Sequence, residues 1–170
     1  MANTKHTLVA LVEDKPGVLN RIASLFRRRS FNIKSLAVGG SEHPGLSRMT
    51  TVVVGDSAQV EQVRKQLEKL INVVKVSDIT EGEMVARELA LIKVKTTAST
   101  RSEIMQIVGI FRANIVDVAP GSLTVEVTGD EDKLNSLLGL LRDFGVKEIS
   151  RTGRIALTRG SSSQGGGTKY

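Results

Sequence analysis

Thr7-Leu8-Val9-Ala10-Leu11-Val12-Glu13-Asp14-Lys15-Pro16-Gly17-Val18-Leu19-Asn20-Arg21-Ile22 carries a strand, a turn and the start of a helix in one continuous run. Residues 7–12 alternate, with Leu8, Ala10 and Val12 on one side and Val9 and Leu11 on the other. From Pro16 to Arg28 the spacing turns helical. Val18, Ile22, Leu25 and Phe26 share a face opposite Asn20, Arg21 and Arg27. Residues 33–38 and 49–54 then read as strands. The segment Gly39-Gly40-Ser41-Glu42-His43-Pro44-Gly45 between them has the turn residues of a long hairpin. Residues 57–70 return to helical spacing through Val60, Val63, Leu67 and Leu70, and 73–79 close the unit as a strand. The order is β-α-β-β-α-β.

The same order recurs. Ala10-Leu11-Val12 finds an echo in Ala90-Leu91-Ile92, Phe26 in Phe111, Asn32-Ile33 in Asn114-Ile115, and Gly55-Asp56 in Gly129-Asp130. The offset between copies varies, so the repeat is a diverged pair of domains and not a solenoid. In the second copy, residues 89–94 form the first strand. Thr100-Arg101-Ser102-Glu103 reads as a capping box before Ile104, Ile107, Val108 and Phe111. Residues 115–118 and 123–127 pair around Pro120-Gly121, and Asp130 can cap a helix carrying Leu134, Leu137, Leu138 and Leu141. Residues 146–149 and 154–157 complete that sheet. The expected class is therefore α+β: two tandem ferredoxin-like domains, each an antiparallel sheet with both helices on one face. The boundary falls in Thr80-Glu81-Gly82-Glu83, giving domains 1–82 and 83–159 and a disordered Gly/Ser tail at 160–170.

Composition limits the chemistry. The 170 residues contain no cysteine and two histidines, which excludes disulfides, thiolate metal sites and a cysteine nucleophile. At 40% apolar and 25% charged the chain belongs with globular proteins and not disordered ones. The net charge of +6 is spread over both halves and is dense only at Arg27-Arg28-Arg29, where cations suit a helix C-terminus. No apolar run is long enough for a membrane span and no signal segment opens the chain, so a cytoplasmic location without membrane contact is expected. A sheet covered on one face only leaves Val9 and Leu11 needing another sheet or chain, and an oligomer is expected.

The turn after the first strand is the candidate binding element. Pro16 is preorganised for a helix start, Asp14 is expected to accept from a first-turn amide, and Gly17 allows close approach. Free amides at the positive end of a helix dipole seat a small anion such as a carboxylate. Asn32, at the start of the next strand beside this helix, supplies both a donor and an acceptor. An ordinary capped helix after a tight turn accounts for the same residues. However, Thr96-Thr97-Ala98-Ser99-Thr100 makes the corresponding turn of the second copy without Pro-Gly, so the fold does not require that dipeptide.

Leu11 to Leu19, then Arg27-Arg28-Arg29-Ser30-Phe31-Asn32-Ile33-Lys34-Ser35-Leu36-Ala37-Val38-Gly39, closely resembles the regulatory small subunit of acetolactate (acetohydroxyacid) synthase, an ACT-domain family. Ser47-Arg48-Met49-Thr50, Arg87-Glu88-Leu89-Ala90-Leu91-Ile92-Lys93-Val94 and Phe111-Arg112-Ala113-Asn114-Ile115-Val116-Asp117-Val118 extend the likeness. The resemblance implies a non-catalytic activator in branched-chain amino-acid biosynthesis. Its partner would be a catalytic large subunit holding thiamine diphosphate, magnesium and FAD, with no cofactor in this chain. It further implies paired N-terminal domains with valine between protomers, on Asp14, Lys15, Pro16, Gly17, Val18, Leu19, Asn32 and Ile33. Family members often carry Asn where this chain has Asp14, whose carboxylate favours an ammonium and repels a carboxylate. Arg27–Arg29, Arg48 and Gln62 are candidate partner contacts.

Three other readings remain at this point. A free-standing two-ACT amino-acid sensor acting on another enzyme or a transcription factor shares the same loop. RNA-recognition domains share the element order, but residues 33–38 and 49–54 lack their stacking aromatics, so nucleic acid is not an expected partner. A stand-alone enzyme would need a nucleophile–base pair or nucleotide loop, and neither is visible.

Overall fold

Leu8, Ala10 and Val12 are buried on one face of β1 (Thr4–Glu13) in a computed structural model that describes residues 4–160. The face packs on α1 (Val18–Arg28) through Val18, Ile22, Leu25 and Phe26, and on α2 (Ser57–Leu67) through Val60, Val63 and Leu67. β2 (Ile33–Gly40), β3 (Leu46–Gly55) and β4 (Val73–Asp78) complete an antiparallel sheet in the order β2-β3-β1-β4. Asp56 caps α2 by accepting from the Gln59 amide at 2.8 Å. α1 ends where Ser30 turns left-handed (φ 56°), with the Phe31 amide donating back to the Phe26 carbonyl at 3.1 Å.

The second unit repeats the plan. β5 (Met84–Lys95), α3 (Arg101–Ile110), β6 (Asn114–Ala119), β7 (Ser122–Gly129), α4 (Glu131–Arg142) and β8 (Val146–Arg151) form a sheet in the order β6-β7-β5-β8. Ile92, Val94, Ile104, Val125, Leu137 and Leu141 are central to its core. Asp130 caps α4 through the Lys133 amide as expected. α3 ends as α1 does: Arg112 is left-handed (φ 50°) and the Ala113 amide donates to the Val108 carbonyl at 3.0 Å. The two copies thus share a helix-stop device as well as a strand order.

Two local expectations change. The capping box at Thr100 does not form: Thr100 Oγ1 accepts from the Thr97 amide at 2.9 Å and makes no bond to the helix. The Thr-rich turn satisfies its own backbone, which leaves the hydroxyl unavailable to α3. The domain division also shifts. One unit comprises residues 4–85 with 154–160 and the other Ala86–Gly153, so the last strand is grouped with the first unit, although by hydrogen bonding it is the fifth strand of the second sheet, as expected. That strand, β9 (Ile155–Thr158), pairs with β5, and the Arg159 amide donates to the Glu83 carbonyl at 2.9 Å. Arg154 anchors it, its amide donating to Ser35 Oγ at 2.8 Å and its Nη1 to Thr7 Oγ1 at 3.1 Å. Ala156 and Leu157 wall a cleft of about 280 Å³ over Val9 and Leu11. Part of the cover for that sheet face therefore comes from this chain itself. The remainder of the expected tail, residues 161–170, lies outside the described residues.

On α2, Arg64 bridges Glu61 (2.7 Å) and Glu68, one turn apart on either side. Hydrogen bonding to Arg64 holds the Glu61 carboxyl down to about 2, against an ordinary 4.5. A depressed carboxyl contributes stability above its unfolded value and loses it as pH falls through the folded one. Arg64→Met should therefore return the Glu61 titration towards 4.5 in an NMR titration and flatten the stability profile between pH 4.5 and 2. An unmoved Glu61 titration would contradict the bridge.

Candidate functional site

Gly17 is the N-cap of α1, at φ 86° and ψ −11°, with no side-chain hydrogen bond to the helix. Asp14 is therefore not the cap. Its side chain is exposed and its amide donates to the Gly45 carbonyl at 2.9 Å, tying the loop to the β2–β3 turn. Pro16 sits ahead of the cap and not in the first helical position, so the helix begins two residues later than the sequence pattern indicates. A left-handed cap with no side chain cannot satisfy first-turn amides. The Arg21 amide makes the first i−4 bond, to Gly17 O at 3.1 Å, and the Val18 amide reaches Lys15 O at 3.4 Å. The Leu19 and Asn20 amides between them have no acceptor among the described residues. No acidic side chain occupies the first turn. Two open amides at a positive helix end, beside a glycine whose missing Cβ would meet nothing within 4 Å, form an accessible anion seat.

The loop is braced from its base. The Glu13 amide donates to Asn72 O at 2.9 Å, and Asn72 Nδ2 donates to Glu13 Oε2 at 2.6 Å. Arg21 Nη1, from the first turns of α1, donates to Asn72 Oδ1 at 2.6 Å, and Lys15 Nζ lies 3.2 Å from Glu13 Oε2. The Asn72 amide, then Lys15, hold the Glu13 carboxyl below the usual carboxylate range. Sequence reasoning singled out none of Glu13, Arg21 and Asn72 for this role. Asn72 is remote in sequence, and nothing local in its turn signals the contact.

Asp14, Lys15, Pro16, Gly17, Val18 and Leu19 are contiguous at one end of the sheet, with Val18 buried and Leu19 45% exposed. Asn32 and Ile33 are elsewhere. Ile33 is in register with Val53, which is in register with His6, whereas Glu13 is in register with Leu46. From His6 to Glu13 is seven steps along β1, about 23 Å at the usual strand rise. Asn32 does lie beside α1, but at its C-terminal end, exposed, and Ile33 packs half-buried on the core. One chain does not bring Asn32 to the Gly17 loop.

The candidate partner contacts differ in their surroundings. Arg48 is held by Glu42 through two bonds of 2.7 and 2.9 Å, Arg29 donates to Gln66 Oε1 at 3.1 Å, and Gln62 is exposed. Among the described residues no three His, Asp or Glu side chains converge as a metal set, and no helix is long and apolar enough to cross a membrane.

Comparison with known proteins adds the family. The family model described as "AHAS small subunit-like ACT domain" matches residues 8–75, and the one described as "Small subunit of acetolactate synthase" matches 87–160. The acetolactate synthase small subunit of Mycobacterium bovis is 53% identical over 160 residues, covering 94% of this chain and 95% of its own. The chain belongs to the acetolactate synthase small-subunit family. The Mycolicibacterium smegmatis small subunit is likewise 53% identical, over 91% of each chain. The crystal structure of the Thermotoga maritima small subunit superposes with a TM-score of 0.85 at 44% identity, covering 92% of this chain and 98% of that one. The tandem ferredoxin-like architecture is thus that of a solved small subunit.

Since Gly17 is required by its backbone angle and not by lack of room, Gly17→Ala should cost about 1–2 kcal/mol in urea unfolding, the usual penalty of a left-handed L-residue. Unchanged stability would contradict the left-handed cap.

Proposed function

We propose that this chain is the non-catalytic, regulatory small subunit of an acetolactate synthase. It docks on and activates a separate thiamine-diphosphate-dependent large subunit, and valine binding to paired N-terminal domains reduces that activation. The observation that carries the reading is the open amide pair at Leu19 and Asn20, on a glycine cap that the second copy lacks. A valine carboxylate is the size and charge that two such amides accept.

The ammonium and isopropyl groups need further partners, and the sheet edge supplies a route to them. β2 is the outermost strand on its side. Leu36 and Val38, on the helix side of that edge, are 43% and 41% exposed. Antiparallel pairing of β2 with β2 of a second copy covers these side chains and completes the open row of backbone groups. The same pairing reverses the strand direction. Asn32 of the second copy then arrives at the end of the sheet that carries the Gly17 loop. A site assembled from two protomers explains why the residues are far apart in one.

Valine regulates only if it binds two arrangements of the small subunit unequally; affinity alone shifts nothing. A ligand lying across the protomer boundary meets that requirement, because any change in the pairing alters the ligand's own contacts. Asp14 at the loop entrance, exposed and unused by the helix, is placed to favour an ammonium.

The test is the reconstituted holoenzyme. Gly17→Asp puts a carboxylate into the anion seat and should raise the valine concentration for half-inhibition at least tenfold, the cost of losing charge-assisted amide bonds. Gly17→Ala, with the same backbone strain but no charge, separates strain from repulsion. Full valine sensitivity in Gly17→Asp would show that the site lies elsewhere.

A further inference from the structure

Asn72 lies in the turn between α2 and β4 and is bonded three ways at the base of the loop. Its carbonyl accepts from the Glu13 amide at 2.9 Å. Its side chain donates from Nδ2 to Glu13 Oε2 and accepts at Oδ1 from Arg21 Nη1, both at 2.6 Å. A carboxamide suits this position because it donates to a carboxylate and accepts from a guanidinium at once, which neither Asp nor Lys does. Closing the turn against β1 needs only the backbone bond. The side-chain bridge does something else: it joins the last residue of β1 to α1, across the loop and not along it.

What it spans is the segment that most needs holding. Between Glu13 and Arg21 the chain passes through a left-handed glycine cap, with no side chain of its own fastened to the helix. The direction of the two open amides depends on how α1 starts relative to β1. Lys15, 3.2 Å from the same Glu13 oxygen, closes the base from the loop side.

We infer that Asn72 is a positioning residue for the effector loop, holding Glu13 and Arg21 so that the Leu19 and Asn20 amides are preorganised for a carboxylate. The inference rests on the reading of residues 14–19 as the valine-binding loop. Ordering the seat before binding removes an entropic cost that the ligand would otherwise meet. Asn72 touches no ligand atom and acts through Glu13 and Arg21.

Isothermal titration of the full-length chain with valine tests this. Asn72→Leu should weaken valine binding about tenfold, and Glu13→Ala similarly. Because both break one bridge, the double variant should be no weaker than about the same tenfold, where independent losses would multiply to about a hundredfold. Asp56→Ala, which removes the cap at the far end of α2, is the destabilised control and should bind valine as the unsubstituted chain does. Unchanged affinity in Asn72→Leu, multiplicative effects in the double variant, or an equal loss in Asp56→Ala would each overturn the positioning role. Failure of the unsubstituted chain to bind valine would instead overturn the site reading, and this inference with it.

Discussion

The register of three strands governs the rest of this molecule. Val53 of β3 faces His6 on one side and Ile33 on the other, while Leu46, at the opposite end of β3, faces Glu13. That register is set by burial. Leu8, Ala10 and Val12 must face α1 and α2, and a slip of one residue would turn all three to the other face. Once it is fixed, the β1–α1 loop and the β2 entrance occupy opposite ends of one sheet. No ligand as small as an amino acid reaches both within one chain.

The loop end of the sheet is where three turns converge. Asp14 is tied to Gly45 in the β2–β3 turn and Glu13 to Asn72 in the α2–β4 turn, so the base of the loop is fastened on both flanks. The helix start itself is left unfastened, since its cap is a glycine. Such an arrangement is poor for an isolated helix and good for an anion site, because capping residues would occupy the amides that a ligand needs. The second copy shows the alternative. Its α3 also opens without a side-chain cap, but on Thr100 in place of glycine and with the acidic Glu103 in its first turn, where a carboxylate ligand would be repelled.

Much of this was legible in the sequence. The element order, both cores and the Asp130 cap follow from periodicity and from residue chemistry acting within four positions. Where the reading failed, the deciding contact was either a competing local bond or a distant one. Asp14 resembles a cap residue, but Gly17 can take the left-handed angle and claims the position. Thr100 resembles a cap residue too, but the hydroxyls around it satisfy one another. β9 joins the second sheet as expected, but the bonds of Arg154 to Thr7 and Ser35, far away in sequence, group it with the first unit, and no local pattern encodes them. Asn32 immediately precedes β2, as its sequence context indicates. Its separation from the Gly17 loop follows only from pairing, which no single strand encodes.

The proposed effector site is assembled from the Gly17 loop of one chain and Asn32 of another. Gly17→Asp and Asn32→Ala, each deficient in valine binding alone, can be co-expressed so that mixed dimers form. In a mixed dimer one site carries both substitutions and the other carries neither. Valine titration of the random mixture should then recover about a quarter of the sites of the unsubstituted protein, as two-fold symmetry requires. A mixture that binds no more valine than its two components would show that the Gly17 loop and Asn32 do not share a site across the protomer boundary.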